Sequence, residues 1–204
     1  VAFFTVDFVS IACLFIFIFG IMAMFFAGII DDTIGNRDVS GLKVHFKSLF
    51  KGKLTTGGFK ALFGGFVGLI ISVCISKNIA DIIVNTLVIA LSTRPGRAIK
   101  VYLVIMIAIF FTLTGYVQIL PLLILPNVHA YFYYDLKAKA MLGDTGSNVL
   151  GISIGILMVM GYTFKVRVSW LVFLVLIHIL TEKFSLTKII EKNKVLNFID
   201  KLGR

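Results

Sequence analysis

Acidic side chains are scarce in this chain: 10 Asp and Glu stand against 20 Lys and Arg in 204 residues, and charges of both signs together make up only 15%. A soluble domain of this length carries more charge than that. The chain has two cysteines, Cys13 and Cys74, and both lie in apolar segments, which suits small buried thiols better than a disulfide or a metal ligand. Of its three histidines, His129 has no partner at metal-ligand spacing, and His178, late in an apolar run, is expected to face a helix neighbour. No nucleic-acid-binding motif accompanies the net charge of +10. No methionine opens the chain, as expected of one that lacks its natural start.

Apolar residues fill the remainder. They make up 59% of the chain and its mean hydropathy is +1.02, the signature of an integral membrane protein. Uncharged apolar runs lie near residues 8 to 30, 61 to 76, 79 to 93, 101 to 134, 147 to 164 and 168 to 181. The first is too long for the apolar core of a signal peptide. The fourth is too long for one span, since a single helix of it would reach about 51 Å against a hydrocarbon core of about 30 Å. Gly115, Gln118, Pro121 and Pro126 offer places to reverse, so a split near residue 117 is expected. The predicted fold is therefore all-α, a polytopic membrane helix bundle of about seven spans.

Charge distribution gives this topology an orientation. With the split in place, 17 of the 20 basic residues fall on one side and only Lys77, Lys165 and Arg167 on the other. The basic side is the cytoplasmic one by the positive-inside rule. Residues 1–181 are then the transmembrane domain, with cytoplasmic loops over 31–60, 93–100 and 134–146. In residues 182–204, Leu186, Ile189, Ile190, Leu196, Ile199 and Leu202 recur at helical intervals opposite Lys188, Lys192, Lys194 and Lys201, predicting an amphipathic cytoplasmic tail. Such a basic face suits anionic headgroups and phosphorylated substrates.

The unusual acids fall on that same face. Asp31-Asp32 ends the first span, while Asp135 and Asp144 lie in the loop before the sixth. Three helices start there, at Lys53-Leu-Thr-Thr-Gly-Gly58, Arg94-Pro-Gly-Arg97 and Gly143-Asp-Thr-Gly-Ser147, and three positive helix ends would attract a diphosphate. A carboxylate-bound Mg²⁺ could bridge it. Each feature also has a plainer reading. Asp144 can simply cap the sixth helix. Asp31-Asp32 can be a solvated helix end, and Lys43, His45 and Lys47, alternating with apolar residues, can lie at the interface or project at phosphates. The Gly64/Gly68 and Gly151/Gly155 pairs read as close helix packing. Asp7 and Asp81, near the outer ends, have no basic partner visible from sequence.

Taken together, the apolar helix ending in Asp31-Asp32, the following Gly41-Leu-Lys stretch and the helix-opening Met141-Leu-Gly-Asp-Thr-Gly-Ser147 resemble the polyprenyl-phosphate N-acetylhexosamine-1-phosphate transferases, a superfamily that includes the phospho-N-acetylmuramoyl-pentapeptide transferases of peptidoglycan synthesis. The resemblance implies Mg²⁺-dependent transfer of a phospho-amino sugar from a UDP-sugar to a polyprenyl phosphate, with release of UMP, at the cytoplasmic face of the cell membrane in cell-wall or surface-glycan synthesis. It implies that Asp144 ligates the metal, that Asp31 and Asp32 stand near the lipid phosphate and the attacking oxygen, and that Lys43, His45, Lys47, Gly143 and Thr145 contact phosphate. Two alternatives remain beside it, a carrier or flippase-like transporter and a catalytically degenerate relative, and any of the three could assemble as a homodimer. The chain departs from that family's pattern after the third span, where Ser92-Thr93 runs directly into Arg94-Pro95, and at Met141, where an aromatic commonly stands.

Overall fold

A computed structural model describes residues 8–34, 56–93, 98–137, 139–140, 142–183 and 193. Its elements are α1 (Phe8–Ile34), α2 (Thr56–Ile75), α3 (Ile79–Ser92), α4 (Ala98–Phe110), two 3₁₀ turns (Gly115–Gln118 and Leu120–Leu123), α5 (Leu125–Leu136), α6 (Gly143–Gly161) and α7 (Phe164–Lys183). No strand occurs among the described residues. Four stretches, Ser10–Thr33, Gly58–Ile75, Gly143–Gly161 and Phe164–Thr181, are long and apolar enough to cross a bilayer, and two shorter apolar helices, Ile79–Ser92 and Ile99–Phe110, accompany them. The chain is thus an all-helical protein of membrane type. Its large exposed apolar side chains, among them Phe15, Phe66, Val104 and Phe173, suit a lipid surrounding. Of the predicted tail over 182–204, residues 182 and 183 belong to α7, and the rest, apart from Asn193, lies outside the described residues.

The long apolar run over 101–134 does not form one helix. α4 stops at Phe110, Gly115 adopts a left-handed φ of 63°, and Pro121 and Pro126 stand at the starts of the second 3₁₀ turn and of α5. Proline suits these positions because its missing N–H falls where the helix has no internal acceptor.

α6 is the central helix. It packs on α1, α3 and α4, whereas α2 fills the angle between α1 and α3 and α7 lies against α3. Its inner residues Ile152, Ile156 and Leu157 are fully buried beside Phe17 and Met24 of α1, Ile71 of α2, Val88 and Ile89 of α3, and Tyr102 of α4. Small residues let these axes come close, as expected in lipid, where packing drives helix association. A side chain at Gly28 of α1 would collide with the Thr145 backbone of α6, and one at Gly151 would collide with the Ser92 carbonyl of α3. The Gly68 and Gly155 positions likewise face α3, at Thr86 and Ile89. These approaches bring the ends of α1 and α3 and the starts of α2 and α6 to one end of the bundle.

Candidate functional site

At that end, α1 finishes against the first turn of α6. A helix start leaves N–H groups with no acceptor inside the helix. Here Asp32 of α1 supplies it: Oδ1 accepts from the Asp144 amide at 2.9 Å, and Oδ2 accepts from the Thr145 amide at 2.9 Å and from the Thr145 hydroxyl at 2.6 Å. Gly143 makes room for this cap. Its φ is +64°, a conformation that side chains with a Cβ resist, and a Cβ there would stand 2.8 Å from Asp32 Oδ2. The plainer expectation for Asp144 is therefore corrected: the cap oxygens belong to Asp32, 112 residues earlier, and the Asp144 carboxylate is left for other work.

It turns toward α2. Lys60 donates from Nζ to Asp144 Oδ1 at 3.0 Å and to Asp31 Oδ2 at 3.5 Å. Lys60 and Asp31 are largely enclosed, with side-chain exposures of 11% and 15%, whereas Asp144 keeps 34%. A lysine ammonium is strongly hydrated in water, so its burial requires charged partners, and two carboxylates provide them. The four side chains Asp31, Asp32, Lys60 and Asp144 carry a formal −2, part of which the α6 N-terminus offsets. One turn further along α6, Asn148 is fully buried with neither amide atom hydrogen-bonded. Such a group costs about 1–3 kcal/mol when left unpaired, which marks it as a position awaiting a partner.

Of the residues singled out in the sequence, the structure brings together Asp31, Asp32, Gly143, Asp144 and Thr145. Lys43, His45 and Lys47 lie outside the described residues, as does the turn over 94–97. In the sequence Lys60 reads only as one more basic residue of the 31–60 loop, yet it is the cation of the site. The available signal was its place in the second turn of an apolar helix, between Phe59 and Ala61, where a solvated lysine gains nothing.

The donor set bears on the expected metal. Among the described residues no three His, Cys, Asp or Glu side chains gather as a ready-made metal cage. Asp32 has both oxygens engaged. Asp144 and Asp31 remain, facing one cation, and Mg²⁺ is commonly held by one or two carboxylates, with waters and substrate phosphates completing its shell. The residues present fit an ion completed by its substrate.

The opposite end of the bundle corrects a second expectation. Asp81 does have a basic partner, since Arg167 Nη2 at the start of α7 donates to Asp81 Oδ1 at 2.9 Å. Arg167 also donates to Oδ1 of the buried Asn85, whose Nδ2 donates to Ser76 Oγ at 2.8 Å. Asn78 caps α3 through the Asp81 amide at 2.9 Å. His178 is buried in α7 and its Nδ1 meets the Leu174 carbonyl oxygen of its own helix at 2.7 Å.

Comparison with protein-family models, with curated proteins and with solved structures returns no match for this chain.

Proposed function

We propose that the chain is a membrane phosphoglycosyl transferase, moving a phospho-N-acetylhexosamine, with or without a peptide, from a UDP-sugar to a polyprenyl phosphate and releasing UMP. One observation carries the reading: the Asp32 cap frees Asp144 from its helix start and sets it beside Asp31 and a buried lysine, at the end of an apolar bundle. Phosphoryl transfer asks mainly for positioning and charge stabilisation, and that cluster supplies both.

In this reaction an oxygen of the lipid phosphate attacks the β-phosphorus of the UDP-sugar. A new P–O bond forms, the P–O bond to UMP breaks, and UMP leaves with the electron pair. The attacking oxygen is already largely ionised at neutral pH, so a strong base is unnecessary. Lys60 balances the charge of Asp31 and Asp144 before the metal arrives, and Asp31 orients that ammonium. Asp32 is a positioning residue that holds the first turn of α6, with the Gly143 and Thr145 backbone, against α1. Asp144, with Asp31 behind it, would hold Mg²⁺, which when bound lowers the charge repulsion between the two phosphorylated substrates. Lys43, His45 and Lys47 belong to the stretch that joins α1 to α2, and we assign them to the same phosphates.

We place this end of the bundle at the cytoplasmic face, following the basic loops, and count residues 115 to 136 as one broken crossing, giving seven spans with the six apolar helices. A carrier is the second reading. It calls for charge near the bilayer midplane, whereas the Arg167, Asp81 and Asn85 network stands at the starts of α3 and α7, at the end of the bundle. The test is UMP release by the purified chain. It should require a UDP-N-acetylhexosamine, polyprenyl phosphate and Mg²⁺ together, whereas folded protein that releases UMP from no such donor overturns the proposal.

A further inference from the structure

The Lys60 ammonium occupies the place between Asp31 and Asp144 where a divalent cation would be held, so the two cations compete for one pair of carboxylates. We infer that Lys60 is a resident cation of this site, displaced when a divalent metal binds, and that the Asn148 amide oxygen receives the displaced ammonium. The inference rests on the reading of Asp31 and Asp144 as carboxylates that bind a metal.

Three observations lead to it. The Lys60 contacts are unequal, 3.0 Å to the more open Asp144 and 3.5 Å to the enclosed Asp31, so the ammonium is held chiefly by the carboxylate a metal would claim. Asn148 follows Asp144 by four residues, which puts both on one face of α6 about one turn apart. It is fully buried, and both Nδ2 and Oδ1 are without a partner.

Both helices reach the same α3 end one turn below the cluster, α2 at Gly64 and α6 at Gly151. Gly64, one turn after Lys60 on α2, lies beside Met24 of α1 and Thr93 at the end of α3, with ordinary contacts of 3.4 to 3.7 Å for an added Cβ. Gly151, three residues after Asn148, meets Ser92 and Thr93 of the same α3 end. Thr93 spends its hydroxyl on the Ala90 carbonyl at 2.8 Å, so it does not serve the amide. A lysine swinging on its four-carbon stem covers one helical turn. Asn148 is therefore the polar berth we assign to the displaced Lys60, one turn into the bundle, on the side where Met24, Gly64 and Thr93 meet. In that berth its charge still faces the two carboxylates, while Asp144 is open to the metal.

The experiment is a double-mutant cycle on the full chain in detergent or nanodiscs, with Mn²⁺ as the probe and free Mn²⁺ read by electron paramagnetic resonance. Lys60→Met should tighten Mn²⁺ binding by at least about tenfold, because a competing charge has gone. Asn148→Leu should weaken it about tenfold, because the displaced ammonium loses its acceptor. In the Lys60→Met background, Asn148→Leu should change binding by less than about twofold. An equal effect of Asn148→Leu in both backgrounds, no effect in either, or no Mn²⁺ binding by the unmodified chain overturns the inference. Asn148→Ala repeats the cycle without the bulk of leucine should that variant not fold. UMP release by the unmodified chain is scored separately: turnover without coupling in the cycle sinks only the displacement, and coupling without turnover sinks only the transferase reading.

Discussion

Removing the Asp32 carboxylate is the most local test of how α1 and α6 assemble the site. Asp32→Ala deletes an acceptor for three hydrogen bonds, from the amides of Asp144 and Thr145 and the hydroxyl of Thr145. A lost N-cap costs about 0.5–2 kcal/mol and a lost anion at a helix start about 0.3–1 kcal/mol. These effects overlap, and Asp32 is exposed, so a combined loss of about 2 kcal/mol is the working figure. That corresponds to about 30-fold faster opening of the first turn, since 1.4 kcal/mol is tenfold. Asp32→Asn keeps one carbonyl acceptor without the charge and should lose about half as much, close to fivefold. Hydrogen–deuterium exchange read on a peptide covering the start of α6 measures this directly, with a peptide from α7 as the internal control. Acceleration confined to α6, in the order Ala over Asn over the parent, is expected. Exchange at the start of α6 within twofold of the parent in folded Asp32→Ala protein would refute the cross-helix cap.

Further outcomes follow from the same geometry. Gly143→Ala forces a Cβ onto a left-handed backbone and against Asp32, costing about 1–2 kcal/mol and lowering the thermal midpoint by about 4 °C. Gly28→Leu should separate α1 from α6 at Thr145 and abolish UMP release while circular dichroism still reports helix. At the other end, Arg167→Met leaves the half-buried Asp81 carboxylate with only the Asn78 amide, a loss of about 2–3 kcal/mol that the added Asp81→Asn change should partly restore. Trp170, one turn along α7 from Arg167, reports that unfolding by its fluorescence.

Much of the fold could be read from the sequence because lipid imposes a simple rule, that apolar runs of sufficient length become helices. The runs over 8 to 30, 61 to 76, 147 to 164 and 168 to 181 correspond to α1, α2, α6 and α7, and the break in the fourth run falls among Gly115, Pro121 and Pro126. What composition could not supply was pairing across the chain. Asp144 next to a helix start reads locally as a cap, and only the packing of Gly28 on Thr145 reveals that Asp32 takes that place. Lys60 read as a loop charge for the same reason, since its two partners are 29 and 84 residues away. Asp81 and Arg167, 86 residues apart, were equally invisible as a pair. Asn148 carried a weak signal, an amide four residues after Asp144 at the point where the helix turns apolar.

The central claim is that Asp144, released from capping and paired with Lys60, serves phosphoryl transfer. Its most direct measurement is UMP release by Asp144→Asn protein from a UDP-N-acetylhexosamine, with polyprenyl phosphate and Mg²⁺ present. Loss of turnover by at least about a hundredfold is predicted, as for removal of one electrostatic stabiliser at a reacting centre, with the thermal midpoint nearly unchanged because the Asp32 cap is intact. Turnover within a few-fold of the parent would contradict the account and leave Asp144 as no more than the partner of a buried lysine.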